Sequence, residues 1–145
     1  MSPADVLSRL RRFLLVFAIL LLGGALLELW LIGHTEDPVQ FIPFVLCGLG
    51  TLAALAALVR PRRATLLVLR ACIALVVLGS LLGIYLHVEG NLALQREISP
   101  NASAGETLFG ALGGANPLLA PGILAVAAVL ALAATYHHPA LGNKE

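Results

Sequence analysis

The sequence predicts an all-α membrane protein: a bundle of four transmembrane helices, with a short interfacial helix between the third and fourth. Three observations lead there. Hydrophobic residues make up 59% of the 145 and charged residues only 12%, about half the roughly 25% that coats a soluble domain. Four continuously apolar stretches each approach the roughly 20 residues that a helix needs to cross a hydrocarbon layer. None of them shows the period-two alternation of a membrane β-barrel, the other fold that leaves no backbone group unpaired in lipid. A formal net charge of +1 supplies no large basic field, so no nucleic-acid partner is expected. The chain, residues 1–145, reads as a single four-helix domain.

The first span covers roughly residues 13–33 and follows Arg9, Arg11 and Arg12. Its basic start fits a signal peptide. Its apolar run, however, exceeds the usual 7–15 residues and no A-x-A-like site follows, so it reads as a retained anchor. Asp37-Pro38-Val39-Gln40 then offers a cap, a proline at the first helical position and a glutamine three residues past the cap. The second span therefore begins at Pro38 and runs to about residue 59, with Pro43 expected to bend it. So short a link makes the first two helices antiparallel neighbours.

Arg60, Arg62 and Arg63 separate this span from the third, roughly 66–86. The 87–117 connection is the only long one. Within it Ser103-Ala104-Gly105-Glu106 has capping-box spacing, and 107–112 supplies one or two apolar turns ended by Gly113-Gly114. The short helix is expected to lie on the outer membrane face. Pro117 and Pro121 bracket the start of the fourth span, roughly 118–136.

Arginines crowd the N-terminus and the second connection, and Lys144 closes the tail; the other two connections hold only Arg96. This split predicts that both termini are cytoplasmic. Alanine- and leucine-rich spans with arginine flanks fit a bacterial inner membrane. Trp30 and Tyr85 fall at the outer ends and Tyr136 at the inner end, as an aromatic belt would place them. Arg70, about four residues inside the third span, can snorkel to the inner interface.

Glu28 is the most informative residue. It lies about five residues, or roughly 8 Å, below the outer end of the first span, where an ionisable group is costly and hence a functional candidate. Arg70 sits roughly 15 Å away in depth, too far to pair with it. At the outer level Glu28 joins His34, Glu36, Asp37, His87 and Glu89, with Asn91 nearby. Imidazole and carboxylate together suit zinc, iron or manganese, with His34, His87 and Glu89 as ligand candidates, or a proton relay. His87 and Glu89 diverge if helical and share a side if extended. No cofactor is expected otherwise. His137 and His138 lie at the opposite depth, where the interface accounts for them. Cys47 and Cys72, inside spans, behave as small apolar residues. Asn101-Ala102-Ser103 matches a glycosylation acceptor, with Ser103 better used as a cap. Gly24, Gly79 and Gly83 allow close helix approach, the last two as a GxxxG-type face.

Four spans with an acid in the first, set in Ala25-Leu26-Leu27-Glu28-Leu29-Trp30, are similar to the small multidrug-resistance transporters in architecture alone. That family's residue pattern is missing here and the long outer connection is foreign to it, so no transport function is carried across. Three functional readings follow. A non-enzymatic accessory or scaffold subunit comes first, its partners being the bilayer and either a second copy or another membrane protein. A small oligomeric transporter or channel using Glu28 comes second, and a metal-binding membrane protein using the outer His/Glu cluster comes third. Arg70 is the only charge below Glu28 in the spans, which weighs against transport.

Overall fold

The computed structural model describes residues 2–142, and every regular element in it is helical. Five α-helices follow in chain order: α1 Pro3–Leu31, α2 Phe41–Val59, α3 Arg63–Ile98, α4 Ala104–Leu112 and α5 Leu119–Ala134. α1, α3 and the 22-residue stretch Pro38–Val59 are long and apolar enough to cross a membrane. α5 has 16 residues, about 24 Å, short of the roughly 20 residues expected of a span. The 118–136 stretch ends early because Thr135, Tyr136 and His137 turn out of the helix, His137 with a φ of 44°.

α1, α2, α3 and α5 pack in a ring, α1 and α3 each lying against both α2 and α5. Alanine makes this closeness workable. Ala18, Ala25, Ala53, Ala54, Ala57, Ala127, Ala128 and Ala131 point into the ring, around Leu22, Leu69, Ile73 and Val76. Leucines and valines on the outer faces stay exposed, as in Leu52, Val68, Leu78 and Val129, which is the polarity of helices solvated by lipid. Gly50 of α2 receives Leu22 of α1, Gly79 receives Leu46, and Gly83 receives the ring of Pro121. Gly24, by contrast, faces open space.

Local chemistry sets the helix ends. Ser2 caps α1 through its hydroxyl and the Asp5 amide (3.2 Å), and the Asp5 carboxylate accepts the Ser2 N–H (2.9 Å). α1 therefore begins well before residue 13. The Pro38 start becomes a 3-10 turn, Pro38–Gln40, whose Gln40 side chain accepts the Glu36 and Asp37 amides. Pro43 falls in the first turn of α2, where a missing N–H costs nothing. At the basic end two guanidinium groups close α5. Arg70 donates to the Thr135 hydroxyl (3.0 Å) and carbonyl (3.2 Å), and Arg11 donates to the carbonyls of Tyr136 (3.1 Å) and His137 (2.8 Å). Cations at a helix C-terminus contribute about 0.3–1 kcal/mol each.

α3 departs most from expectation. Its 36 residues, about 54 Å, run through Glu89, Arg96 and Glu97 to Ile98, so much of the 87–117 connection is helix. Leu, Ala, Gln, Arg and Glu are all good helix formers, and the helix stops only before Ser99-Pro100. α4 does not lie flat across the bundle end; it doubles back along this projecting part of α3.

Gly83→Leu should force α5 away from α3, because a Cβ there already meets Pro121 at 2.9 Å. A loss of about 1–3 kcal/mol is expected by thermal or denaturant unfolding in detergent. Gly23→Leu, whose Cβ meets open space, should unfold as the wild type does, and equal losses for both would refute this packing.

Candidate functional site

The acidic end of the ring carries the residues singled out above, held by three elements. Glu28 lies on the exposed face of α1, one turn beyond exposed Gly24, so this face points away from the ring. His34 follows the α1 terminus, its amide bonded to the Leu29 carbonyl at 3.0 Å, and its ring is half-buried. Glu36 and Asp37 are exposed in the turn that follows. His87 lies on α3, with Nδ1 at 3.0 Å from the Pro117 carbonyl. A carbonyl only accepts, so Nδ1 carries the proton in this contact. α3 is helical here, so His87 and Glu89 diverge; His87 is half-buried and Glu89 is exposed. Among the described residues, no three His, Cys, Asp or Glu side chains are placed to hold a metal ion. His34 and His87 do approach each other: burial first, then the neighbouring His87, holds the His34 imidazole below its usual range, with Glu36 opposing. His138, at the other end, is also held low, by burial and then by Arg11.

The structure builds its strongest polar constellation around Asn91. Its side chain is fully buried, and both of its N–H groups and its oxygen are bonded. Nδ2 donates to the carbonyls of Ala111 and Asn116 (2.9 Å each), and Oδ1 accepts the Asn116 N–H (2.9 Å). Glycines let the carboxamides close in. A Cβ on Gly114 would stand 2.5 Å from Asn91, one on Gly110 2.8 Å from Gln95, and one on Gly90 2.9 Å from Asn116. Asn91 and Gln95 are one helical turn apart on α3, and Gly110 and Gly114 one turn apart facing them. That matched spacing, a polar stripe against a small-residue stripe, was the signal available in the sequence.

Ser103 caps α4 as its spacing predicts, donating to the Glu106 carboxylate at 2.7 Å while its oxygen accepts the Glu106 amide at 3.3 Å. The hydroxyl bond, together with the Ser103 N–H donated to the same carboxylate (2.8 Å), lowers the Glu106 pKa. The result is a hairpin of inverted polarity. Its amides face inward, and its large apolar side chains Ile98, Leu108, Phe109 and Leu112 face outward, Phe109 with 78% of its surface exposed. Shallow grooves flank α4, one lined by Leu92, Arg96, Thr107 and Leu108, the other by Gln95, Ile98 and Glu106.

Asn91→Ala should leave the Asn116 amide and carbonyl without their partner, while the Ala111 carbonyl keeps the Gly114 N–H, at a cost of about 1–3 kcal/mol per group left unpaired. Hydrogen exchange is expected to quicken across residues 104–116 and stay slow in α1 and α2; uniform quickening would show that the hairpin has no separate lock. The lowered His34 pKa means that folding favours the neutral ring. Its contribution is complete above 6.5 and is lost as pH falls through the lower folded value. A nuclear magnetic resonance titration should place the His34 midpoint below 6.5, and His87→Ala should raise it. An unmoved midpoint would break the proposed coupling between the two rings.

No family model matches the chain, and neither a curated protein nor a solved structure matches it.

Proposed function

We propose that the chain is a small multi-pass inner-membrane protein acting as a non-enzymatic accessory or scaffold subunit. One observation carries this reading. Among the described residues the three fully buried polar side chains, Ser80, Asn91 and Thr135, are each bonded to main-chain carbonyls and tie helices together, while the buried Thr51 hydroxyl is left without a partner. Ser80 donates to the Pro121 carbonyl (2.7 Å), Asn91 holds α4, and Thr135 donates to Leu132 (2.8 Å) while accepting Arg70. Polar groups used in this way hold a shape and leave nothing poised for chemistry or ion passage. The alanine-lined interior supports the same reading, since small side chains bring the helices close together.

In this reading α5 is a fourth span. It packs between α1 and α3, so it shares their bilayer, and a thinner layer or its arginine-capped end makes up the missing length. The distribution of arginines supports cytoplasmic termini and an α3–α4 hairpin outside. Glu28, on the exposed outer part of α1, meets headgroups or a neighbouring protein.

Two measurements test this. A cysteine replacing Ser103, in a background lacking Cys47 and Cys72, should react with an impermeant maleimide in intact cells; reaction only after lysis would reverse the topology. Purified protein in liposomes should show no proton or cation flux above empty vesicles. A flux that Glu28→Gln abolishes would replace the accessory reading with transport.

A further inference from the structure

We propose that the outward face of the α3–α4 hairpin is a docking site for an apolar, cation-flanked segment of a second membrane protein. This rests on the accessory reading and names the chemistry of the partner it requires. The first support is the inverted polarity. In water Phe109, Leu108, Leu112 and Ile98 would be expected inside and Asn91 and Gln95 outside, and the hairpin does the reverse. An exposed apolar centre of this kind, around an aromatic, is the composition of an interface core.

Height rules out lipid as the cover. The ring ends where Gly83 meets Pro121 and His87 meets the Pro117 carbonyl. From Arg63 to Gly83 is about 30 Å at 1.5 Å per residue, the thickness of the hydrocarbon layer. Phe109 adjoins Gly110, which packs on Gln95, so it stands roughly 12 Å above the level of His87 and roughly 18 Å above that of Gly83. The headgroup layer adds only about 5–8 Å on each side. Charge rules out a second copy. The hairpin carries Glu89, Glu97 and Glu106 against a single arginine, Arg96, so two hairpins meeting face to face would bring like charges together. The same charge favours a cationic partner: Glu106 lies one turn from Phe109 on α4, and Glu97 adjoins Ile98. The Asn91 lock presents this face already ordered, so docking loses little conformational freedom.

The test uses the full chain in phosphatidylcholine nanodiscs and three fluorescent helical peptides: a leucine–alanine helix with lysine flanks, the same helix with glutamate flanks, and a serine–glutamine helix with lysine flanks. Only the first should bind above empty discs, and added salt should weaken it. Phe109→Asp and the milder Phe109→Ser should each weaken it roughly tenfold, with α-helix content unchanged by circular dichroism. Glu97→Lys should weaken it further. Equal binding of the glutamate-flanked peptide, or full binding by both Phe109 variants, would overturn the proposal. So would quenching of a Phe109→Trp, Trp30→Phe protein by brominated lipid, which would make lipid the cover. Two copies per disc that separate on Phe109→Asp would make it a dimer face. Ion flux in liposomes would remove the accessory reading whatever the peptides do, whereas silent liposomes with no peptide preference remove the docking site alone.

Discussion

A helix beside hydrocarbon must satisfy its own ends, because lipid offers neither donor nor acceptor to a free carbonyl or amide. The rest of this fold depends on that constraint, and α5 shows it most clearly. It is the shortest helix of the ring; Arg70 and Arg11 hold the carbonyls at its C-terminal end, at Thr135, Tyr136 and His137, and Ser80 ties its first turn to α3 through the Pro121 carbonyl. The guanidinium group suits the C-terminal task, since its several N–H groups can reach successive carbonyls that a helix terminus splays apart.

A parallel demand, burial within packed protein rather than contact with lipid, explains how a polar interface can hold α4. Asn91 brings two donors and an acceptor to a place where the chain reverses and its backbone groups would otherwise be buried unpaired. Carboxamide against glycine works there because removing the Cβ lets the side chain press directly on the opposing backbone. An apolar hairpin interface would have left the Asn116 amide without a partner.

Much of the helical architecture is legible in the chain because the length of an apolar run measures the medium that it needs. Run length does not measure where a helix stops. α3 continues through Glu89, Arg96 and Glu97 because helix propensity ignores the change from oil to water, and α5 ends early because Thr135 is used as a cap. The candidate cluster failed to assemble for a related reason. Grouping Glu28, His34, His87 and Glu89 by depth says nothing about angle around each helix, and angle sends Glu28 to the outer face and Glu89 away from His87. Asn91 was visible as a residue. Its role emerges only when it is paired with Gln95 one turn on and with Gly110 and Gly114 opposite.

The uninterrupted course of α3 has a mechanical consequence. No proline or 3-10 segment breaks it between Arg63 and Ile98, and its glycine–serine pair, Gly79-Ser80, is clamped by Leu46 and the Pro121 carbonyl, so it behaves as a stiff rod. Near one end it carries the hairpin, and near the other it carries Arg70 and its grip on α5. A sideways load on the hairpin therefore acts as torque on a lever pivoted where Gly79 meets Leu46 and Gly83 meets Pro121. The lever delivers that torque to the Arg70–Thr135 contact at the far surface, with no hinge in between to absorb it.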